Sequence, residues 1–164
     1  SLSTCGLVPK IRQLAEKKLQ LTLSVSLHAP TDEIRNTIMP VNKAYPTEEL
    51  LAACRRYYDR TGRRISFEYT LIAGKNDSRA QAERLASLLN SKLRTRTSTM
   101  PIHVNLIPVN EVAETGLSSV NRKNAEIFRD RLAKHGINAT IRRKLGSDIN
   151  ASCGQLRLRR AEKS

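Results

Sequence analysis

LQLTLSVSLH, residues 19–28, alternates without a break. Leu19, Leu21, Leu23, Val25 and Leu27 fall on one side, and Gln20, Thr22, Ser24, Ser26 and His28 on the other, which is the period of two that marks a strand. The second set decides the fold. A strand of an ordinary parallel sheet is covered on both faces and reads as a continuous apolar run, whereas this one pairs an oily face with a face of hydroxyl, amide and imidazole groups. The same division returns in RRISFEYTLI, residues 63–72, where Ile65, Phe67, Tyr69 and Leu71 oppose Ser66, Glu68 and Thr70. It returns again in IHVNLIPVN, residues 102–110, where Ile102, Val104 and Leu106 oppose His103 and Asn105 before Pro108 ends the run.

Helical patterns separate these strands. TEELLAACRRYYDR, residues 47–60, places Leu50, Leu51, Cys54, Tyr57 and Tyr58 on one face, with Thr47 as N-cap and an end before Gly62. SRAQAERLASLLNSKL, residues 78–93, carries a stripe of Leu85, Leu88, Leu89 and Leu93 behind a cap at Asp77 or Ser78. NRKNAEIFRDRLAKHG, residues 121–136, presents Ile127, Phe128 and Leu132 and stops at Gly136. INATIRRKL closes the series as a short strand, and Ser1–Thr4 reads as a partial strand at the start.

This alternation predicts an α/β fold with parallel strands and outer helices. Barrel and doubly wound sheets share it. The polar inner faces favour a half-open, TIM-like (β/α) barrel whose hollow holds a polar ligand, because they do not suit the filled Val/Ile/Leu interior of a closed one. An antiparallel sheet with one wet face is the competing reading. Chemistry in barrels collects at the C-terminal strand ends, which places it here at Ser26–His28, Thr70–Gly74 and Pro108–Asn110, with Ser3 ending the partial strand. The strands are too few to close a ring, so residues 1–164 are expected to be the C-terminal part of one interrupted barrel domain.

The chain has 29 basic and 15 acidic residues among 164, a net charge of +14 and a pI near 10.4. Nucleic acid is the partner that this excess suggests. A membrane role is not expected, since no apolar run approaches the ~18 residues of a spanning helix. Cys5, Cys54 and Cys153 form neither a disulfide framework nor a metal cradle, which fits a reducing cytoplasm. Cys54 belongs to a helix core, and Cys5 is expected to be a small core thiol. No secretory leader is evident, and the opening without Met reads as a cut from something longer.

GSDINASCGQL, residues 146–156, is unusual for a cysteine environment. Asp148, Asn150, Ser152 and Gln155 surround Cys153 with hydrogen-bonding groups, while Gly146 and Gly154 allow a sharp turn or a close approach to a ligand. Taken alone, a thiol in a loop is the bland reading.

In order and spacing, VSLHAPTDEIRNTIMPVNKAYP, VNLIPVN and GSDINASCGQL resemble the C-terminal half of the radical S-adenosylmethionine (SAM) RNA adenine methyltransferases of the RlmN/Cfr type. The resemblance runs from Ser1 to about Leu156 and is better for the adenine carbon-2 branch than for the carbon-8 branch. It implies a partial barrel of the radical SAM type, with SAM across the strand ends on a [4Fe-4S] cluster. SAM contacts are implied at Ser3, at Ser26, Leu27 and His28, and at Asn110. Cys153 matches the methyl-carrying cysteine, in the segment 147–164 that forms a catalytic-cysteine loop and a basic tail. Its thiolate would take a methyl group from one SAM, and a radical from a second SAM would remove hydrogen from that methyl. The resulting carbon radical could add to an electron-poor ring carbon that polar methyl transfer would not reach.

The implied substrates are structured RNAs, 23S rRNA with tRNA as a further candidate, and an electron-donor protein would supply the reductant. The CxxxCxxC cluster loop and a second functional cysteine are absent, so the resemblance implies that both lie in the remainder of the barrel upstream. This chain alone would then be inactive. It provides no metal ligands of its own. Ser152 stands where the family more often has Ala. Among the basic groups, Arg55-Arg56, Arg63-Arg64, Lys92 with Arg94, Arg142–Lys144 and Arg157–Arg160 are candidates for RNA contact. Few aromatics are available for base stacking, which favours recognition of shape and backbone. Two other readings remain open at this point: a non-catalytic basic RNA-binding module, and a barrel enzyme for a phosphorylated metabolite, which lacks a Gly-rich phosphate loop.

Overall fold

A computed structural model describes residues 1–109 and 116–142. Five strands and five helices follow one another as β1 (Leu2–Thr4), α1 (Val8–Lys17), β2 (Leu23–Ser26), α2 (Asp32–Ile38), a 3₁₀ turn (Pro40–Lys43), α3 (Thr47–Thr61), β3 (Ile65–Leu71), α4 (Arg79–Leu93), β4 (His103–Pro108), α5 (Arg122–Lys134) and β5 (Asn138–Ile141). All strand pairs are parallel, and the sheet order is the chain order, β1-β2-β3-β4-β5. The antiparallel reading is thereby excluded for this sheet.

Strand order explains the layer structure. Each crossover moves one strand further in the same direction, so successive long helices lie side by side, α1 on α3, α3 on α4 and α4 on α5. A single apolar layer joins them to the sheet. Leu23, Val25, Ile65, Phe67, Tyr69, Val104 and Leu106 from the strands meet Ile11, Leu50, Cys54, Leu85, Leu89, Phe128 and Leu132 from the helices in one buried cluster. The Tyr69 and Phe128 rings lie 5.2 Å apart within it. Covering helices on one face and polar residues on the other are what the barrel reading requires and what a doubly wound sheet would not give.

Several local expectations change. The strand expected over 19–27 is only Leu23–Ser26, and Leu19 is 45% exposed, because α1 ends on a left-handed Lys18 (φ 50°) and Leu19–Leu21 form the tight return to the sheet. Helix α1 itself escaped notice although Val8, Ile11 and Ala15 hold its buried stripe and Pro9 starts it. Helix α2 also went unread. It is seven residues long, capped by Thr31 onto the Ile34 amide, and it buries an arginine rather than an apolar stripe. Thr47 is the first helical residue rather than the cap, and its amide donates to Asp32 Oδ1 at 2.8 Å. Cys5 is exposed, not a core thiol, since it lies just beyond the short edge strand β1. Ile127 points outward, leaving Ala125, Phe128 and Leu132 as the buried side of α5. Ser78 makes a capping box with Gln81 as its serine promised.

These placements separate two apolar residues that sequence periodicity treats alike. Phe67→Ala should cost about 3–5 kcal/mol in urea unfolding, as a large buried ring lost from a close-packed layer does. Ile127→Ala should stay within about 0.5 kcal/mol, the usual range for exposed positions.

Candidate functional site

The uncovered face of the sheet is organised in rows by the parallel register. Ser3, Ser24, Ser66, His103 and Asn138 form one row; Ser26, Glu68, Asn105 and Thr140 form the next, nearer the C-terminal strand ends. Side chains bridge the strands along and between these rows. Ser66 Oγ and His103 Nδ1 are 2.9 Å apart, His103 Nε2 and Thr140 Oγ1 are 3.0 Å apart, and Asn105 Nδ2 donates to Glu68 Oε2 at 2.9 Å. The face is therefore a cross-linked polar surface and not a set of idle solvated groups.

Two buried polar residues fix its upper rim. The guanidinium of Arg35, fully buried, donates from Nε to the Leu27 carbonyl at 2.9 Å and from Nη1 to Asn42 Oδ1 at 2.8 Å. From Nη2 it donates to the carbonyls of Cys5 and Ser26, both at 2.9 Å. A side chain at Gly6 would approach Nη2 to 3.1 Å, and Gly6 has φ +107°, so glycine is required where β1 turns over the arginine. Asn42 passes the network on by donating to Asp32 Oδ1 at 3.1 Å. Burial would raise the Asp32 carboxyl, but hydrogen bonds from Thr47 and Asn42, together with the Arg35 charge, hold it below its ordinary value.

Asn76 does the same for the next pair of strands. Fully buried, it donates from Nδ2 to the carbonyls of His28 (2.8 Å) and Thr70 (2.6 Å), accepts the Ile72 amide on Oδ1 (2.8 Å), and its own carbonyl accepts the Tyr69 hydroxyl (2.7 Å). His28, held between these anchors, adopts a left-handed backbone with φ 62°, a costly conformation for a residue with a Cβ. Its Nδ1 accepts the Thr70 amide at 2.9 Å. Burial first, and the Arg35 charge second, push its pKa down to about 4. The ring is thus neutral at pH 7, and with Nδ1 accepting, its proton sits on Nε2 as a donor.

Of the residues singled out from sequence, Ser26 ends β2 and His28 follows it two residues later, whereas Ser3 on the neighbouring β1 pairs with Ser24, one row further from the C-terminal strand ends. Leu27 differs: its side chain is in the apolar core and its carbonyl is held by Arg35, so it supports the rim from behind. Asn110 and Cys153 lie outside the described residues, as do residues 143–164 with their basic groups. Arg35, Asn42 and Asn76 were missed as anchors. Sequence gives little signal for Arg35, because α2 reads DEIRNTI and Asp32 and Glu33 in its first turn make the arginine look like one more charge of a solvated helix.

Chemically, the rim offers the Ser26 hydroxyl and the His28 imidazole N–H, and Ser3 adds a hydroxyl one row inward; these are hydrogen-bonding groups for a polar ligand. Among the described residues no group of three His, Cys, Asp or Glu gathers to hold a metal, so an iron–sulfur cluster is not provided for there. Glu68 stands beside Ser26 in the same row, its carboxyl raised by burial against the opposing pull of Asn105 and Arg142. At the same end of the sheet, a groove of about 600 Å³ lies between β4, β5 and the start of α5, lined among others by Arg122, Arg129 and Arg142.

No protein-family model matches the chain. Curated relatives do. The chain is 54% identical over 157 residues to the probable dual-specificity RNA methyltransferase RlmN of Pelotomaculum thermopropionicum, covering 96% of this chain and 41% of that protein. It is 53% identical over 157 residues to the protein of the same name from Clostridium novyi, covering 96% and 43%. Among solved structures, a radical SAM methyltransferase from Sphaerobacter thermophilus matches with a TM-score of 0.84 and 48% identity over 93% of this chain and 42% of that one. A domain of pyruvate-formate lyase-activating enzyme from Bacteroides vulgatus shares the fold, with a TM-score of 0.65 and 20% identity over 86% of this chain and 79% of that one. The chain spans about two-fifths of the length of the curated relatives it matches.

Two consequences follow for stability. The unfolded chain protonates His28 near pH 6.5 and the folded chain near 4, so stability is full above pH 6.5 and falls by up to roughly 3 kcal/mol as the pH drops to about 4. His28→Asn, which tolerates the left-handed backbone, should flatten the decline in urea midpoint between pH 7 and pH 4.5. Glu68 has the opposite sign: its folded pKa is raised, so its ionised form opposes folding above that pKa and not below the unfolded value. Glu68→Gln should raise the urea midpoint at pH 7 and leave it unchanged at pH 3.

Proposed function

The chain belongs to the RlmN-type radical SAM methyltransferases, and from that premise we propose that it serves SAM-dependent methylation of adenine carbon 2 in structured RNA, 23S rRNA first and tRNA as a second substrate class. The observation that carries the reading is the neutral, kinked His28 beside Ser26 at the rim of a polar sheet face, in a chain 54% identical to a curated relative named as an RNA methyltransferase. SAM supplies the methyl group and, when reduced on a [4Fe-4S] cluster, the radical that activates it. Everything else is the work of this chain's residues and of the upstream barrel segment that would bring the cluster ligands.

His28 Nε2–H and the hydroxyls of Ser3 and Ser26 would hydrogen-bond the polar groups of SAM, with Asn110 carried over from the resemblance, while Leu27, its amide donating to the Glu68 carbonyl and its own carbonyl held by Arg35, would support them from behind. A neutral imidazole suits this task because it donates without placing a second positive charge near a sulfonium. Arg35 and Asn76 keep the rim in register, so orientation is set before the cofactor arrives. Cys153 carries the methyl group as a thioether to the RNA base. The arginines beside the β4–β5 groove, Arg122, Arg129 and Arg142, draw the RNA backbone toward the mouth. A cytoplasmic protein with an electron-donor partner fits this chemistry, and among the described residues no helix is long and apolar enough to cross a membrane.

The test is to join this chain to the cluster-binding region that the resemblance calls for and to follow methyl transfer to RNA. Cys153→Ala should abolish transfer while SAM affinity changes less than about threefold. Methylation at the wild-type rate by that variant would remove Cys153 from the mechanism. Tight RNA binding without any response to SAM would instead favour a non-catalytic binding module.

A further inference from the structure

The positive charge of the chain is not spread evenly, and the fold sorts it. Arg55 faces Asp59, Arg56 faces Glu16, Lys92 faces Glu48 and Arg131 faces Glu83, and basic residues of the helix exteriors without an ion pair, such as Lys10, Arg84 and Lys123, stand on helices that also carry Asp or Glu. The end of the barrel at the N-terminal strand ends differs. The four connections that enter β2, β3, β4 and β5, residues 18–22, 62–64, 94–102 and 135–137, contain Lys18, Arg63, Arg64, Arg94 and Arg96 and no Asp or Glu.

Because the strands are parallel and in chain order, these connections form one continuous arc. Arg63 Nη1 reaches Gln20 Oε1 at 3.4 Å, and Arg94 Nη2 donates to the Gly136 carbonyl at 2.6 Å, which joins neighbouring connections pairwise. Helix dipoles account for basic residues in last helical turns, such as Lys17 and Lys134, but not for those in the loops. Arg96 is presented by a built turn: Arg94 bridges Thr99, the Thr95 amide donates to the Ser98 carbonyl at 3.1 Å, and the Ser98 amide donates to Thr95 Oγ1 at 3.1 Å. Lys18, Arg64 and Arg96 are exposed and have no ion-pair partner among the described residues.

We infer that this arc is a second RNA-backbone contact surface, at the end of the barrel opposite the Ser26–His28 rim, which holds a distal part of a large structured RNA through its phosphates. The inference rests on the proposed RNA function and specifies which of the chain's many charges serve it. A folded RNA that reaches around the domain would touch both ends, whereas a short stem-loop seated at the mouth would touch only one. Recognition here is of charge and shape, since the four connections contain no Phe, Tyr or Trp.

The test measures binding of fluorescent RNAs to the 164-residue chain across a salt series, with circular dichroism reporting that each variant keeps its fold. The variant Lys18→Gln/Arg64→Gln/Arg96→Gln should lower the slope of log K against log salt by about 2–3, roughly 0.7–0.9 for each lost phosphate contact. With a large structured RNA it should lose tenfold or more in affinity near 0.1 M salt. A short stem-loop should lose less than threefold. The charge-matched variant Lys10→Gln/Arg84→Gln/Lys123→Gln, scattered over the helix exteriors, should change the slope by less than about 1. Equal effects of the two triples, equal losses for the two RNAs, or a loss of poly-glutamate binding in place of RNA binding would overturn the inference. Failure of the unaltered chain to bind any RNA would instead remove the proposed RNA function beneath it.

Discussion

A buried guanidinium with no carboxylate in contact among the described residues ties together the ends of the first two strands of this sheet. Arg35 spreads its donors over the carbonyls of Cys5, Ser26 and Leu27 and the amide oxygen of Asn42, so that the ends of β1 and β2 and the turn after α2 are tied to one planar group. Burying such a charge is costly unless its hydrogen bonds are satisfied, and removing it would strand several buried acceptors at once. The arrangement therefore has little freedom to slip. The glycine at position 6 is part of the same arrangement, because a side chain there would press on the guanidinium.

The second constraint is that the sheet has only one apolar face. Helices α1, α3, α4 and α5 cover it with Leu, Ile and Phe side chains, and the other face is bridged by Ser66, His103, Thr140, Asn105 and Glu68. Burial raises the Glu68 carboxyl on this face, against the Asn105 hydrogen bond and the Arg142 charge that pull it down. Groups kept in a setting that disfavours their charged state are expected where a ligand, not the fold, sets the requirement. The neutral His28 fits the same account, because an imidazolium at the rim would compete with the cationic Arg35 behind it.

The signature VSLHAPTDEIRNTIMPVNKAYP thus combines two tasks. Ser26 shares the uncovered sheet face with Glu68 and His28 accepts the Thr70 amide, whereas Arg35, Asn42 and Asp32 form the buried network that holds the Ser26 and Leu27 carbonyls. In one dimension these residues are indistinguishable polar letters in a motif. Nor did the loop AGKND announce that Asn76 would fill the gap between β2 and β3, because that role depends on two strands forty residues apart in sequence meeting in space.

What the residues alone determined was whatever depends on short-range periodicity. The alternation in ISFEYTL fixed β3 and its two faces, the serine at 78 fixed the start of α4, and the repeated strand–helix order fixed a parallel α/β layer with helices outside. The polar inner face, legible in Ser66, Glu68, His103 and Asn105, already pointed to the hollow and to its rim at Ser26–His28. Tertiary structure decided what periodicity cannot encode. It shortened β2 because a left-handed Lys18 had to return the chain from α1, turned Ile127 outward, and exposed Cys5 at an edge. It also brought together, at the strand N-termini, connections that carry basic residues and no Asp or Glu. Local pattern reports which side of an element is apolar; only the meeting of distant elements reports which charge finds a partner and which backbone oxygens a buried arginine can reach.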